Sequence, residues 1–239
     1  MTAADDTFDL GDLRTVAVGD AEAARVVVVL LHGFQMSPAD LSPFAHSLRA
    51  PAWFLFPEAP LVVEPRGRAW WHIDAKQRER ALAAGPRDFA GQHPPDLPAA
   101  RDHLHRFLDA VNTRAGARPL VLGGFSQGGM LACDSALRAD LGLRALALLS
   151  ASRICLDEWG PLAAQGRLRD LPVLVSHGER DDDLAFSAGE GLRDFLVGAG
   201  AAVQWVPFAQ GHEIPLVVWR RLRKLLLSIA SATAPGAAK

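Results

Sequence analysis

Two cysteines are all that the 239 residues contain. Cys133 and Cys155 cannot build a disulfide framework, and neither falls in a CxxC repeat or in a Cys/His cluster with metal-site spacing. Both read as reduced, buried structural residues, the usual place of a free thiol. Excess charge is missing too: 25 Lys and Arg stand against 27 Asp and Glu, a formal net of -2. That balance leaves no electrostatic footprint for nucleic acid or an acidic lipid surface. No apolar run reaches the ~18 residues of a membrane span, and the start, MTAADDTFDL, is acidic where a secretory leader is basic. The expectation is a cytoplasmic protein without stable membrane insertion or nucleic-acid partner, acting on a small molecule. The sequence specifies no oligomeric state.

What the chain does have is alternation. Short apolar or β-branched runs recur at 25–31, 52–57, 119–124, 143–150, 171–177 and 201–208, and most read as strands buried on both faces. Helical patterns lie between them. In DLPAARDHLHRFLDAV, Leu97, Ala100, Leu104, Phe107, Leu108 and Val111 recur at three- and four-residue steps. The closing PLVVWRRLRKLLLSIA starts with Pro215 as a first helical residue and repeats Trp219, Leu222, Leu226 and Ile229. Alternating strands and helices predict one α/β domain over 1–239, a mostly parallel sheet with helices on both faces. TFDLGDLRTVAV would add an antiparallel edge, 231–239 a frayed tail, and 75–99 a solvated helix and loop that folds as a flap over a site.

The stretch VLGGFSQGGML places four glycines around Ser126. Glycine inside an element costs roughly 0.5–1 kcal/mol relative to alanine, so the cluster needs a geometric cause. A Walker phosphate loop would need a lysine that this stretch lacks, and the paired glycines do not match G-x-G-x-x-G. Gly124-Phe125-Ser126-Gln127-Gly128 fits G-x-S-x-G, a strained strand-to-helix turn that lifts a serine Oγ above the sheet. A hydroxyl becomes a useful nucleophile only beside a histidine that a carboxylate orients. Past the later strands come Glu179-Arg180-Asp181-Asp182-Asp183 and then Gly211-His212, in the order serine, acid, histidine. His212 is the candidate base. Asp181, nearest its strand, is the preferred acid, with Asp183 second and Glu179 third. Gly33 lets the chain turn so that the Phe34 N–H joins the Gln127 N–H at an oxyanion, and His32 reads as a brace for that loop. His103 and His105 read as solvated. His177 with Asp181 lacks the second histidine cluster of a metal site, so no metal is expected.

These residues give the chain a resemblance to the phospholipase/carboxylesterase family of α/β hydrolases, which includes bacterial serine carboxylesterases and acyl-protein thioesterases. It is carried by LHGF at 31–34, FPEAP at 56–60, RAWW at 68–71, GGFSQGGM at 123–130, HGERD at 177–181 and GHEI at 211–214. The resemblance implies an α/β-hydrolase fold, a triad of Ser126, Asp181 and His212, an oxyanion hole from the Phe34 and Gln127 N–H groups, and no cofactor. The substrate would be a small ester or thioester. Two stretches depart from the family pattern: Phe34-Gln35-Met36, where a glycine and an acid are usual, and Trp70-Trp71-His72, in place of Trp-Phe-Asp. Both should border the acyl pocket, with Trp70, Trp71 and Phe34 as an apolar wall. The expected activity is hydrolysis of short-to-medium acyl esters. A long-chain thioesterase or lysophospholipase is the alternative enzyme, and a non-catalytic ligand-binding protein on the same fold is the alternative from outside enzymology.

Overall fold

The computed structural model describes residues 5–232. An antiparallel hairpin opens it, β1 (Asp6–Leu10) against β2 (Leu13–Val18), turning at Gly11 and Asp12, so the predicted antiparallel edge holds two strands. There follow β3 (Val26–Leu31), α1 (Ser42–Leu48), β4 (Ala52–Pro57), the short pair β5 (Leu61–Val62) and β6 (Arg68–Ala69), α2 (Ala75–Ala83), α3 (Leu97–Ala115) and β7 (Leu120–Phe125). The second half alternates strictly: α4 (Gln127–Arg138), β8 (Leu143–Leu149), α5 (Leu156–Ala163), β9 (Pro172–Gly178), α6 (Phe186–Gly198), β10 (Ala202–Phe208) and α7 (Leu216–Ala232).

Eight strands form one sheet in the order β1-β2-β4-β3-β7-β8-β9-β10, parallel from β4 to β10. VVVVLL, AWFLFP and LVLGGF are buried along their whole length, as strands covered on both faces must be. One face packs on α1 and α7 through Leu48, Trp219, Leu222 and Leu226, and the other on α3 to α6 through Phe107, Leu131, Trp159 and Leu192. The chain leaves β3 toward β4 on one side and returns to β7 on the other. The carboxyl ends of β3 and β7 therefore meet where the strand order reverses, the place at which an open α/β sheet leaves a crevice.

Three expectations shift in detail. α7 begins at Leu216, one residue past Pro215, and runs through Ser231 and Ala232, so part of the predicted tail is helical. The rest, 233–239, lies outside the described residues. Segment 75–99 does hold a solvated helix, α2, which buries none of its residues and is capped by the Asp74 carboxylate accepting from the Gln77 N–H at 2.6 Å. The chain after it is not a loose flap. Arg87 N–H donates to Asp183 O (3.0 Å), Ala185 N–H to Arg87 O (2.9 Å), Leu156 N–H to Ala90 O (2.8 Å) and Cys155 N–H to Gln92 O (3.0 Å). These bonds fix 87–92 as a strap across the top of the sheet.

Candidate active site

The β7-to-α4 junction is built around strain. Ser126 sits at φ 51°, ψ -117°, a conformation that costs a non-glycine residue about 1–3 kcal/mol and persists only when its surroundings over-determine it. Here they do: the Ser126 N–H donates to Leu149 O at 2.8 Å and its carbonyl accepts from the Met130 N–H at 3.0 Å. The flanking glycines are steric necessities. A Cβ on Gly124 would stand 2.4 Å from the Gly128 carbonyl carbon, and one on Gly128 would stand 2.4 Å from Leu31 O. The turn is thus pressed against the end of β3. Ser126 Oγ makes no hydrogen bond among the described residues and faces a cleft.

The loop after β9 delivers the carboxylate. Asp181 has no exposed side-chain surface, and Oδ1 accepts from the N–H groups of Asp183 (3.0 Å) and Leu184 (2.8 Å). Oδ2 accepts from His212 Nδ1 at 2.7 Å, which makes Nδ1 the protonated nitrogen and leaves Nε2 as the basic one. The His212 ring packs on Phe125, with centroids 4.7 Å apart, beside the elbow. No hydrogen bond joins Ser126 Oγ to His212; catalytic contacts of this kind tighten in the complex with substrate. Of the rival acids, Glu179 is exposed and Asp183 pairs with Arg78 and Arg87, so Asp181 alone meets the histidine. His177, which the sequence marked only as an unpromising ligand, is a buried brace: its Nε2–H donates to Leu184 O at 3.0 Å. Burial pushes its pKa below the ordinary value.

The two oxyanion candidates lie at the β3/β7 crevice. Gln127 is the first residue of α4, so its N–H has no acceptor behind it in the helix. The Phe34 N–H has no acceptor among the described residues. The Gln127 side chain does a different task that the sequence did not reveal. Its Oε1 accepts from Trp70 N–H and its Nε2 donates to Trp71 O, both at 2.9 Å, clamping that loop to the elbow.

His32 holds the Phe34 loop as expected. Nδ1–H donates to Gly33 O at 2.8 Å and Nε2 accepts from the Ala59 N–H at 3.1 Å, an arrangement only the neutral ring can make. Burial lowers its pKa from 6.5 to about 4. The unfolded chain therefore binds a proton that the folded one refuses. This contribution to stability is present above pH 6.5 and is lost as pH falls toward 4, up to about 3 kcal/mol. His32→Asn should flatten the fall in thermal midpoint between pH 7 and 4; since His177 shifts in the same sense, the difference between the two proteins is the quantity to read.

The cleft over Ser126 is walled by Phe34, Trp71, Ile73, Phe89 and Met130. Trp70 does not belong to that wall, a correction to the expected acyl pocket. It is 1% exposed, and its Nε1–H donates to His32 O at 3.0 Å, so the ring turns inward and supports the oxyanion loop from behind. His103 and His105 are half-buried rather than solvated: His103 pairs with Asp12 at 2.6 Å, and the His105 Nε2 is buried without a partner among the described residues. The fold also brings His93, Cys155 and Glu158 together, with donor atoms within 4.8 Å. Cys155 is pushed up to about 11 by burial and its Sγ–H donates to Gln92 O at 3.4 Å, while His93 bonds Asp157 at 2.8 Å. That thiol is protonated and anchors the strap.

The described geometry offers a buried carboxylate, an oriented imidazole, a strained serine and two free N–H groups at one end of a parallel sheet, the parts needed for acyl transfer. Comparison with known proteins gives a consistent picture. The model of the phospholipase/carboxylesterase family matches residues 14–228. Acyl-protein thioesterase 1 of Gibberella zeae is 37% identical over 101 residues, 39% of this chain and 41% of that protein. Acyl-protein thioesterase 1 of Neurospora crassa is 28% identical over 168 residues, 67% of this chain and 66% of that protein. The chain thus matches from about two fifths to two thirds of the length of these relatives. Among solved structures, esterase PE8 superposes with a TM-score of 0.73 at 24% identity, covering 95% of this chain and 98% of that one, which shows the shared fold.

Proposed function

The chain belongs to the phospholipase/carboxylesterase family, and from that premise we propose that it is a serine hydrolase of carboxylic esters with short-to-medium acyl chains. The observation that carries this reading is the 2.7 Å bond from His212 Nδ1 to a fully buried Asp181, beside a serine held at positive φ. Ser126 Oγ attacks the ester carbonyl carbon as its proton passes to His212 Nε2. The Phe34 and Gln127 N–H groups take the oxyanion. When the tetrahedral centre collapses, the carbonyl-to-alcohol bond breaks and His212 returns the proton to the departing alkoxide. Water, deprotonated by the same Nε2, then releases the acid from the acyl-enzyme and restores Ser126.

The narrow wall of Phe34, Trp71 and Phe89 supports the short-to-medium range. Hydrolysis of p-nitrophenyl esters from acetate to palmitate should peak at or below octanoate. The thioesterase names of the curated relatives favour a second reading, a long-chain thioesterase, and an optimum at palmitate would select it. Absence of turnover with every ester, together with no labelling of Ser126 by a fluorophosphonate, would leave a binding protein. The reaction needs no cofactor. Among the described residues no helix is long and apolar enough to cross a membrane, which fits the cytoplasmic, single-domain enzyme we propose.

A further inference from the structure

The cleft over Ser126 is not apolar throughout. Arg78 from α2 and Arg87 from the strap both line it, and both pair with one carboxylate, Asp183. Two guanidinium groups thus share a single carboxylate as their direct partner. Asp181, hydrogen-bonded to His212, acts on Arg87 only through space, Asp74 caps α2 and pairs with neither arginine, and His72 and His93 have their own partners in Asp96 and Asp157. Burial and the proximity of Arg78 lower the pKa of Arg87, against the smaller opposing pull of the Asp181 carboxylate.

Both forks are pre-set. The Arg78 guanidinium lies over the Phe34 ring (5.7 Å) and that of Arg87 over Phe89 (4.7 Å), stacking that fixes their planes before any ligand arrives. Asp183 engages Nη2 of each, and the Asp183 carbonyl takes Nε of Arg87, which leaves Nη1 of both arginines without a partner among the described residues. The wall residues Trp71, Ile73, Phe89 and both arginines also border a second groove, of about 860 Å³ including its open mouth, so the guanidinium pair stands where the Ser126 cleft opens into it.

We infer that Arg78 and Arg87 form a specificity subsite for a carboxylate on the substrate, a few bonds from the scissile carbonyl. The inference rests on the ester-hydrolase reading and names the class of ester. A carboxylate is favoured because its two oxygens in one plane match the two free Nη1 donors, and a monoanion suits a cleft that already holds the Asp183 and Asp181 carboxylates. Short hemiesters of dicarboxylic acids fit the acyl side; esters of hydroxy acids fit the alcohol side.

The test separates binding from turnover. Monoethyl glutarate and ethyl pentanoate, and para-butyryloxybenzoate and its methyl ester, are two pairs that differ chiefly in charge. Calorimetric titration into Ser126→Ala should show the anionic member of one pair binding more tightly, by roughly tenfold for each guanidinium engaged, with the pair identifying the side on which the carboxylate sits. Arg78→Gln or Arg87→Gln should abolish most of that ratio, and Asp183→Asn, which frees both forks, should raise it. Arg78 lies on a helix that buries nothing, so its variant decides the matter if Arg87→Gln fails to fold. Equal binding within both pairs, or a preference that survives both arginine replacements, would overturn the inference. Hydrolysis of the neutral esters by the wild type tests the underlying activity separately.

Discussion

Ser126→Ala should lower kcat/KM for any p-nitrophenyl ester by roughly 10⁴–10⁶-fold and remove fluorophosphonate labelling, while the thermal midpoint moves little. The kinetic half follows from chemistry: without Oγ no acyl-enzyme forms, and what remains is water attack assisted by the Phe34 and Gln127 N–H groups. The stability half follows from the geometry. Among the described residues Ser126 Oγ has no hydrogen bond to lose, and alanine keeps the Cβ, so the cost of φ 51° is already met in the wild type. The N–H bond to Leu149 O survives, since it belongs to the backbone. A glycine at the same position is the informative control. It relieves the strain and should also be inactive, so a folded, equally inactive Ser126→Gly would assign the loss to the missing hydroxyl rather than to a disturbed turn. Activity retained in both would move the nucleophile elsewhere.

The parts that sequence made legible are those specified by neighbours in the chain. Continuous apolar runs announced β3, β4 and β7 because strands covered on both faces admit little else. The glycine pairs announced the elbow because Gly124 meets Gly128 only four positions on. Where the determining partner lay far along the chain, the pattern was silent. An indole suits a core and a pocket equally well, and what turns Trp70 inward is the carbonyl of His32, 38 residues away. The strap at 87–92 has the composition of a loose loop, yet its backbone groups are claimed by 152–156 and 183–185, segments that only the fold brings near. The Gln127 N–H is legible because the helix start dictates it. Its side-chain clamp on the Trp70 and Trp71 backbone spans 56–57 residues and leaves no local trace.

The three adjacent aspartates give the other large expected effect. Asp181→Asn should reduce kcat by roughly 10³–10⁴-fold, whereas Asp183→Asn should cost no more than about tenfold on a neutral ester. Asp181 supplies two things that asparagine cannot. Its Oδ2 bears the charge that stabilises the imidazolium formed when His212 takes the serine proton, and it accepts from Nδ1–H, keeping Nε2 basic. An amide can satisfy the Asp183 and Leu184 N–H groups through its oxygen, which leaves its NH₂ facing His212 and favours the tautomer with the proton on Nε2. The wrong nitrogen then faces the nucleophile. Asp183 contributes to that arrangement only through its backbone N–H, which the substitution keeps. Its carboxylate instead faces Arg78 and Arg87, so its loss changes the charge of the cleft and leaves the proton path intact. Measured together on one neutral ester, the two variants should differ by at least about a hundredfold; comparable losses would mean that the histidine draws its orientation from the loop as a whole rather than from Asp181.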